Sequence, residues 1–138
     1  MMQRVTYTLA AIAVLFAPPI AGADPGRADI WVGVDGTADG ILLDRNTRSA
    51  WMTGLCLKPL QTATRVDGQW VSRNRELVSV GRGETLLDQT FYVSDAADDP
   101  SLTIYNPDRG GAQRISGVVL VDCSADDACS RFLDTPTC

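Results

Sequence analysis

Apolar and polar residues alternate in short runs along most of the chain between residues 30 and 123, and these runs are rich in Ile, Val, Trp and Thr. A period of two places successive side chains on opposite faces of an extended strand. Gly, Asp, Asn and Pro interrupt the runs at short intervals, as in a meandering antiparallel sheet. The predicted strands are Ile30–Val34, Ile41–Asp44, Ala50–Leu57, Thr62–Val66, Gln69–Arg73, Glu76–Val80, Thr90–Ser94, Leu102–Tyr105 and Gln113–Val121.

This pattern predicts an all-β, mainly antiparallel domain of about seven to nine short strands. A small closed or partly open β-barrel removes unpaired sheet edges and is the favoured architecture, with a β-sandwich as the alternative. Asp67-Gly68 is the strongest hairpin signal, because Gly tolerates the positive φ of a type I′ turn. The run Val118–Val121 is apolar on both faces and needs a cover. We expect a short helical or irregular C-terminal tail, tied by a disulfide, to cover it and to bury Phe132 and Leu133.

The first 23 residues have the pattern of a secretory signal peptide. Arg4 gives a positive start, Leu9–Phe16 an apolar run, and Ala21-Gly22-Ala23 a small-residue cleavage site. The apolar run ends before Pro18-Pro19 and is shorter than the roughly 20 residues that span a bilayer. We therefore expect cleavage before Asp24, a single β domain over residues 24–138 with no membrane span, and a periplasmic or secreted location.

All four cysteines lie in the predicted mature part. An even number of cysteines in an exported domain predicts two disulfides. The spacings between Cys123, Cys129 and Cys138 match neither a zinc site nor a C-x-x-C redox motif. Three pairings are possible. We favour Cys56 with Cys123, because both end apolar strand-like runs, which leaves Cys129 with Cys138 to hold the tail.

The sequence contains no histidine. Its absence removes the Ser-His-Asp and Cys-His nucleophile pairs, and the side chain that most often transfers protons near neutral pH. Residues 35–40 resemble the start of a calcium loop, with Asp35, Asp39 and Gly40 in place, but Asn46 stands where such a loop needs a bidentate Glu. We therefore predict a domain that is not an enzyme and that carries no metal and no cofactor.

Acidic side chains are concentrated in the second half of the chain. Residues 24–87 carry eight acidic and eight basic side chains, whereas residues 88–138 carry nine acidic and three basic ones. An acidic surface disfavours nucleic acid as a partner. We expect the segment around Asp95, Asp98 and Asp99 to form a negative surface that attracts a cationic protein.

The three tryptophans are placed by the strand alternation. Trp51 shares a face with Leu55 and Leu57 and is predicted to be in the core. The side chain of Trp31 points to the other face of its strand from its apolar neighbours. The Asp67-Gly68 turn pairs Trp70 with Arg65 on the adjacent strand. Trp31 and Trp70 are therefore predicted to face outward, with Arg65 beside Trp70, as candidate residues for binding a partner.

These observations predict an exported β domain that binds another cell-envelope or extracellular protein, as an inhibitor, an immunity factor or an assembly accessory. In size, acidity, export signal and cysteine content the chain is similar to small periplasmic inhibitors of lysozyme and proteases, and no inhibitory motif of those proteins is present. A barrel that binds a small ligand is the first alternative, and would need an internal pocket. A carboxylate-based glycan hydrolase is the second, and would need two converging carboxyls, one with a raised pKa.

The intact mass of the exported protein tests the predicted compartment and cross-links. We expect a chain that begins at Asp24 and that gains about 4 Da on reduction, because two disulfides take up four hydrogens. Mass spectrometry with and without reduction and alkylation measures both values. A full-length chain with four alkylated thiols before reduction would contradict the prediction.

Overall fold

A computed structural model describes residues 23–138 of the chain. The strands in this part are β1 (Ile30–Val34), β2 (Gly40–Asp44), β3 (Ser49–Thr53), β4 (Lys58–Pro59), β5 (Gln61–Val66), β6 (Gln69–Val80), β7 (Gly83–Ser94), β8 (Ser101–Asn106), β9 (Gly111–Arg114) and β10 (Val118–Asp122). A short helix, α1, covers Ser130–Leu133, and 3₁₀ turns cover Pro25–Arg27 and Pro107–Arg109.

The strands form two five-stranded antiparallel sheets. The first sheet has the order β10-β1-β2-β3-β4, and the second has the order β5-β6-β7-β8-β9. The predicted antiparallel β class is therefore confirmed. The closed barrel that the sequence favoured is not found in residues 23–138, where the strands fall into two separate sheets.

One hydrophobic core lies between the two sheets. The first sheet contributes Ile30, Val32, Ile41, Leu43 and Ala50, which alternate with side chains on its other face. Residues of the second sheet and of the connection that leads into it complete this core: Leu60, Ala63, Trp70, Phe91, Val93 and Leu102.

A second core covers the opposite face of the first sheet. Strand pairing places Trp31, Leu42 and Trp51 side by side across β1, β2 and β3. The C-terminal segment packs on this row and buries Phe132 completely, as the sequence predicted. The first sheet is therefore buried on both faces, and every residue of β2 is buried.

Two strand boundaries differ from the predicted ones. Gln69–Arg73 and Glu76–Val80 are parts of one strand, β6, which continues through residues 74 and 75. The predicted strand Gln113–Val121 is divided between β9 and β10, which lie in different sheets. Gly117, at a φ of 72°, precedes β10 and allows the chain to pass from one sheet to the other. The Asp67-Gly68 hairpin is confirmed, with both residues at positive φ.

All four cysteines are in disulfides, as predicted, but the favoured pairing is wrong. Cys56 is bonded to Cys138, and Cys123 is bonded to Cys129. Cys123 follows β10, and the turn after it brings Cys129 back within 4.9 Å between Cα atoms. The last residues then return to the first sheet, where Thr137 bridges Leu57 next to the Cys56–Cys138 disulfide.

The predicted signal peptide, except for its last residue, lies outside the described residues. Within residues 23–138, none of the helices has the length and apolar character needed to cross a membrane.

The two disulfides are expected to differ in their contribution to stability. Cys56–Cys138 closes a sequence separation of 82 residues, whereas Cys123–Cys129 closes one of 6. In the chain-entropy model these loops contribute about 4.5 and about 2 kcal/mol, respectively. The C56A/C138A variant should therefore lower the urea midpoint more than the C123A/C129A variant. Equal losses, or a larger loss for the short loop, would contradict this expectation.

Candidate interaction surface

Trp31, which was predicted to face a partner, is completely buried. Its side chain does point away from the core between the sheets, as the alternation indicated. The C-terminal segment, however, covers that face, and Phe132 stacks on the indole with ring centroids 4.1 Å apart. The indole Nε1 donates a hydrogen bond of 2.9 Å to Oγ1 of Thr53. The predicted outward orientation of Trp31 is therefore wrong.

Two glycines allow this position of Trp31. Gly33 and Gly40 are paired across β1 and β2. A Cβ atom added at Gly33 would lie 2.3 Å from Cζ2 of Trp31, and one at Gly40 would lie 2.7 Å from Cε2. The ring thus lies directly on the glycine backbone, as an aromatic side chain does when it covers strand glycines.

Trp70 is also buried, with 7% of its surface exposed, so its predicted outward orientation is wrong as well. It belongs to the core between the sheets, and its Nε1 reaches the sheet rim to donate a 2.9 Å hydrogen bond to Asp95. The predicted proximity of Arg65 is confirmed, with its guanidinium carbon 5.2 Å from the ring centroid. Trp70 and Arg65 therefore form a cation–π pair within the protein.

Asp95 is the centre of a polar cluster that contains three of the predicted site residues. Its carboxylate accepts hydrogen bonds from Trp70, from Arg65 at 3.1 Å and from Arg45 at 3.1 Å. Arg45 also donates to Asp29. Burial alone would raise the pKa of Asp95, but the hydrogen bonds from Trp70, Arg45 and Arg65 outweigh it and lower the pKa below its usual value. This carboxylate is therefore satisfied by the protein's own donors.

Asp98 and Asp99 lie in the connection between β7 and β8, and both are exposed. The side chain of Asp99 is 82% exposed, and its nearest cation is Arg114 at 3.8 Å. An ion pair this exposed contributes little. These two carboxylates, unlike Asp95, remain accessible to a cationic partner.

A hairpin that is absent from the strands predicted by the sequence extends beyond the rest of the second sheet. Strands β6 and β7 are 12 residues long, twice the length of β5 and β8 beside them. Pairing with β5 ends at Arg73, and pairing with β8 begins at Thr90. Residues 74–89 therefore form a two-stranded hairpin beyond the rest of the sheet, which we call the arm.

The arm carries exposed apolar side chains. Leu77 is 68% exposed, Val80 is 61% exposed and Leu86 is 36% exposed. Leu77 and Leu86 are directly paired across β6 and β7, so they form one apolar patch on the face turned away from the first sheet. Adjacent apolar residues on a free hairpin are typical of an interaction surface, because water does not stabilise them.

Two ion pairs hold the base of the arm. Arg73 donates two hydrogen bonds, of 2.9 and 2.8 Å, to the carboxylate of Asp88 across the hairpin. These bonds lower the pKa of Asp88 below its usual value. On the opposite face, Lys58 of the first sheet forms an ion pair with Glu76. The arm is therefore attached to the body of the protein by charged contacts as well as by the sheet.

Both long edges of the arm lack a neighbouring strand in the described part of the chain. A cavity of about 240 Å³ adjoins the edge formed by β7. Its lining comes from the outer half of β7 and from the turn after β8: Thr85, Leu86, Leu87, Asp88, Asn106, Asp108 and Arg109. An open strand edge beside a cavity offers main-chain hydrogen bonds together with room for a side chain of a bound segment.

A second cavity, of about 200 Å³, opens between the two sheets. Its walls are mainly apolar and include Ile41, Met52, Phe91 and Ile115, with Asp39 at the polar side. It is smaller than the roughly 300–1,000 Å³ of most small-molecule sites.

The sequence held a signal for the arm. Asn74 and Arg75, between the two predicted strands, include no Gly or Pro that would end a strand, and Leu77 and Leu86 are equidistant from Gly81-Arg82. Gly81 adopts a φ of 60°, which suits the two-residue turn there. The predicted strands end at Val80 and resume at Thr90, so they do not include this symmetry.

The lowered pKa of Asp95 predicts a pH-dependent contribution to stability. A carboxyl whose pKa is lower in the folded state stabilises the fold above its unfolded pKa of about 3.9, and this contribution is lost as pH falls through the folded value. Asp95→Asn should cost about 1.5–3 kcal/mol at pH 7, as expected for hydrogen bonds to a charged group, and progressively less below about pH 4. Urea midpoints between pH 7 and pH 2 measure this, with exposed Asp98→Asn as the control. A loss that does not change with pH would contradict it.

Within residues 23–138, no three His, Cys, Asp or Glu side chains are grouped so that they could hold a metal ion. Comparisons of the chain with protein-family models, with characterised proteins and with solved structures find no match. The surface of the domain is therefore the basis for inferring its function.

Proposed function

We propose that this chain is an exported, non-enzymatic domain that binds another protein of the cell envelope or the extracellular space, and that the arm is its binding element. The observation that carries the proposal is the free β6–β7 hairpin, with Leu77, Val80 and Leu86 exposed on it and both edges unpaired. A protein partner would bury these side chains and complete the hydrogen bonding of at least one edge.

The disulfides support a location outside the cytoplasm. Both disulfides close on the first sheet or next to it, and disulfides persist in oxidising compartments. A partner in the periplasm or the extracellular medium is consistent with an inhibitor, an immunity factor or an assembly accessory.

The charge distribution supports a partner with a cationic surface. The full chain has a formal net charge of −5, and Asp98 and Asp99 are exposed on the connection between β7 and β8. Such a field increases the rate at which a cationic protein associates. Asp95, which is held by two arginines and a tryptophan, contributes to the fold instead of to this surface.

A small-ligand site is the second candidate, and the cavity between the sheets favours it. Ile41, Met52 and Phe91 give this cavity an apolar wall suited to a small apolar group. Its volume of about 200 Å³ ranks this function below protein binding.

The carboxylate hydrolase receives no support from Asp88, beside the cavity of the arm, or from Asp95 in the polar cluster. Such an enzyme needs a carboxyl that stays protonated near neutral pH. The pKa of Asp88 is instead lowered, mainly by the hydrogen bonds from Arg73. Burial would raise the pKa of Asp95, but the hydrogen bonds from its three donors outweigh burial and lower it.

Site-specific photocrosslinking in the protein's own host tests the arm as a binding element. A photoreactive side chain at Leu86 should give an adduct with a second, different protein, because this position lies on the exposed patch of the arm. The same side chain at Leu55, which is 97% exposed in a loop outside the arm, is the matched control. With the identified partner, Leu86→Lys should weaken binding at least about tenfold, since a buried leucine contributes about 1.5–3 kcal/mol, and Leu55→Lys should not.

Equal adducts at Leu86 and Leu55, or none at Leu86, would contradict this proposal. An adduct whose mass equals two copies of the chain would show contact between copies and would not support a different partner.

A further inference from the structure

Strand β6 has a free edge from Asn74 to Val80. Its only strand neighbour over this stretch in the described residues is β7, since pairing with β5 ends at Arg73. Unpaired backbone groups on such an edge are a template for another strand.

The turn at the tip determines which backbone groups of β6 face outward. Val80 and Gly83 flank the two-residue loop and are paired, so their backbone groups bond to each other. Hydrogen-bonded and non-hydrogen-bonded pairs alternate along an antiparallel ladder. The N–H and C=O groups of Arg75, Leu77 and Ser79 therefore point to the open edge.

This edge is complementary to itself. A two-fold axis at Leu77 would pair the whole free stretch of β6 with the same stretch of a second copy, antiparallel. Arg75 would then lie opposite Ser79, and Glu76 opposite Val78, so that no charge meets a like charge. Leu77 would meet its own counterpart, and with Leu86 beside each copy the contact would form a continuous row of four leucines.

The free edge of β7 lacks this property. Pairing its whole open stretch, Gly83–Gln89, with itself about Leu86 would place Glu84 opposite Asp88 twice. Like charges directly opposite each other destabilise a strand pair. Self-pairing is therefore favoured on β6 and disfavoured on β7.

The net charge of the arm also favours contact between copies. The chain as a whole is acidic, and two copies repel each other. Residues 73–89 carry three arginines and three acidic side chains, so they are balanced. Contact through the arm therefore brings together segments that carry no net charge.

We infer that two copies of this chain associate through antiparallel pairing of their β6 edges, with Leu77 at the two-fold axis, and that this dimer leaves the β7 edge and its cavity free. The contact is isologous, because the same residues face each other in both copies. It does not depend on the proposed binding of a different protein: both contacts cover Leu77 and Leu86, but only the dimer requires the backbone groups of the β6 edge.

Sedimentation equilibrium of the exported, disulfide-bonded protein tests the inference. The wild-type protein should show a reversible monomer–dimer equilibrium between micromolar and millimolar concentrations. Ser79→Pro removes one outward N–H from each copy and leaves the β6–β7 ladder complete. The dimer should then be at least about tenfold weaker, as expected for the loss of two hydrogen bonds of about 1 kcal/mol each.

Glu84→Pro is the matched control. Glu84 is the cross-strand partner of Ser79, and its N–H points to the opposite edge of the arm. This variant should dimerise like the wild type. Leu77→Arg provides a second disruption without proline, since it places two positive charges at the axis, and it should also give monomers. Circular dichroism and urea midpoints show whether each variant is folded.

A wild-type protein that remains monomeric up to millimolar concentration would overturn the inference. A dimer that Ser79→Pro and Leu77→Arg leave intact, or that Glu84→Pro weakens equally, would also overturn it, because the contact would then lie elsewhere.

Discussion

Burial of the first sheet on both faces is the constraint on which the rest of the structure depends. Its inner face carries Ile30, Val32 and Ile41, and its outer face carries the row of Trp31, Leu42 and Trp51. A sheet that is apolar on both sides needs a cover on each. The second sheet supplies one cover, and the C-terminal segment supplies the other.

The C-terminal cover is short, so covalent bonds hold much of it in place. Its only α-helix, α1, has four residues, which is too few for a helix to be stable alone. The disulfides Cys123–Cys129 and Cys56–Cys138 fix both ends of this segment next to the sheet. Phe132 then stacks on Trp31, and the glycines Gly33 and Gly40 let the indole lie flat against the backbone. The disulfides of this small domain thus complete its core.

The limited extent of the core between the sheets explains why the arm is free. The core between the sheets extends along β6 and β7 only as far as their neighbours β5 and β8 reach, and those strands have six residues each. The outer halves of β6 and β7 therefore lie outside the core. The ion pairs of Arg73 with Asp88 and of Lys58 with Glu76 stand where the arm leaves the body of the protein. Leu77, Val80 and Leu86 lie beyond them, where no side chain of the core can cover them.

The sequence by itself determined the local structure. Period-two alternation located most strands, Asp67-Gly68 identified a hairpin, and the even number of cysteines predicted two disulfides. It also brought Arg65 and Trp70 together, because a two-residue turn determines the register of its strands. Tertiary structure alone decided which faces are covered. Alternation predicts that the side chains of Trp31 and Val32 point to opposite faces of the sheet, but only the returning C-terminal segment buries Trp31. Disulfide pairing and the length of the arm depend likewise on where distant segments pack, which local periodicity does not contain.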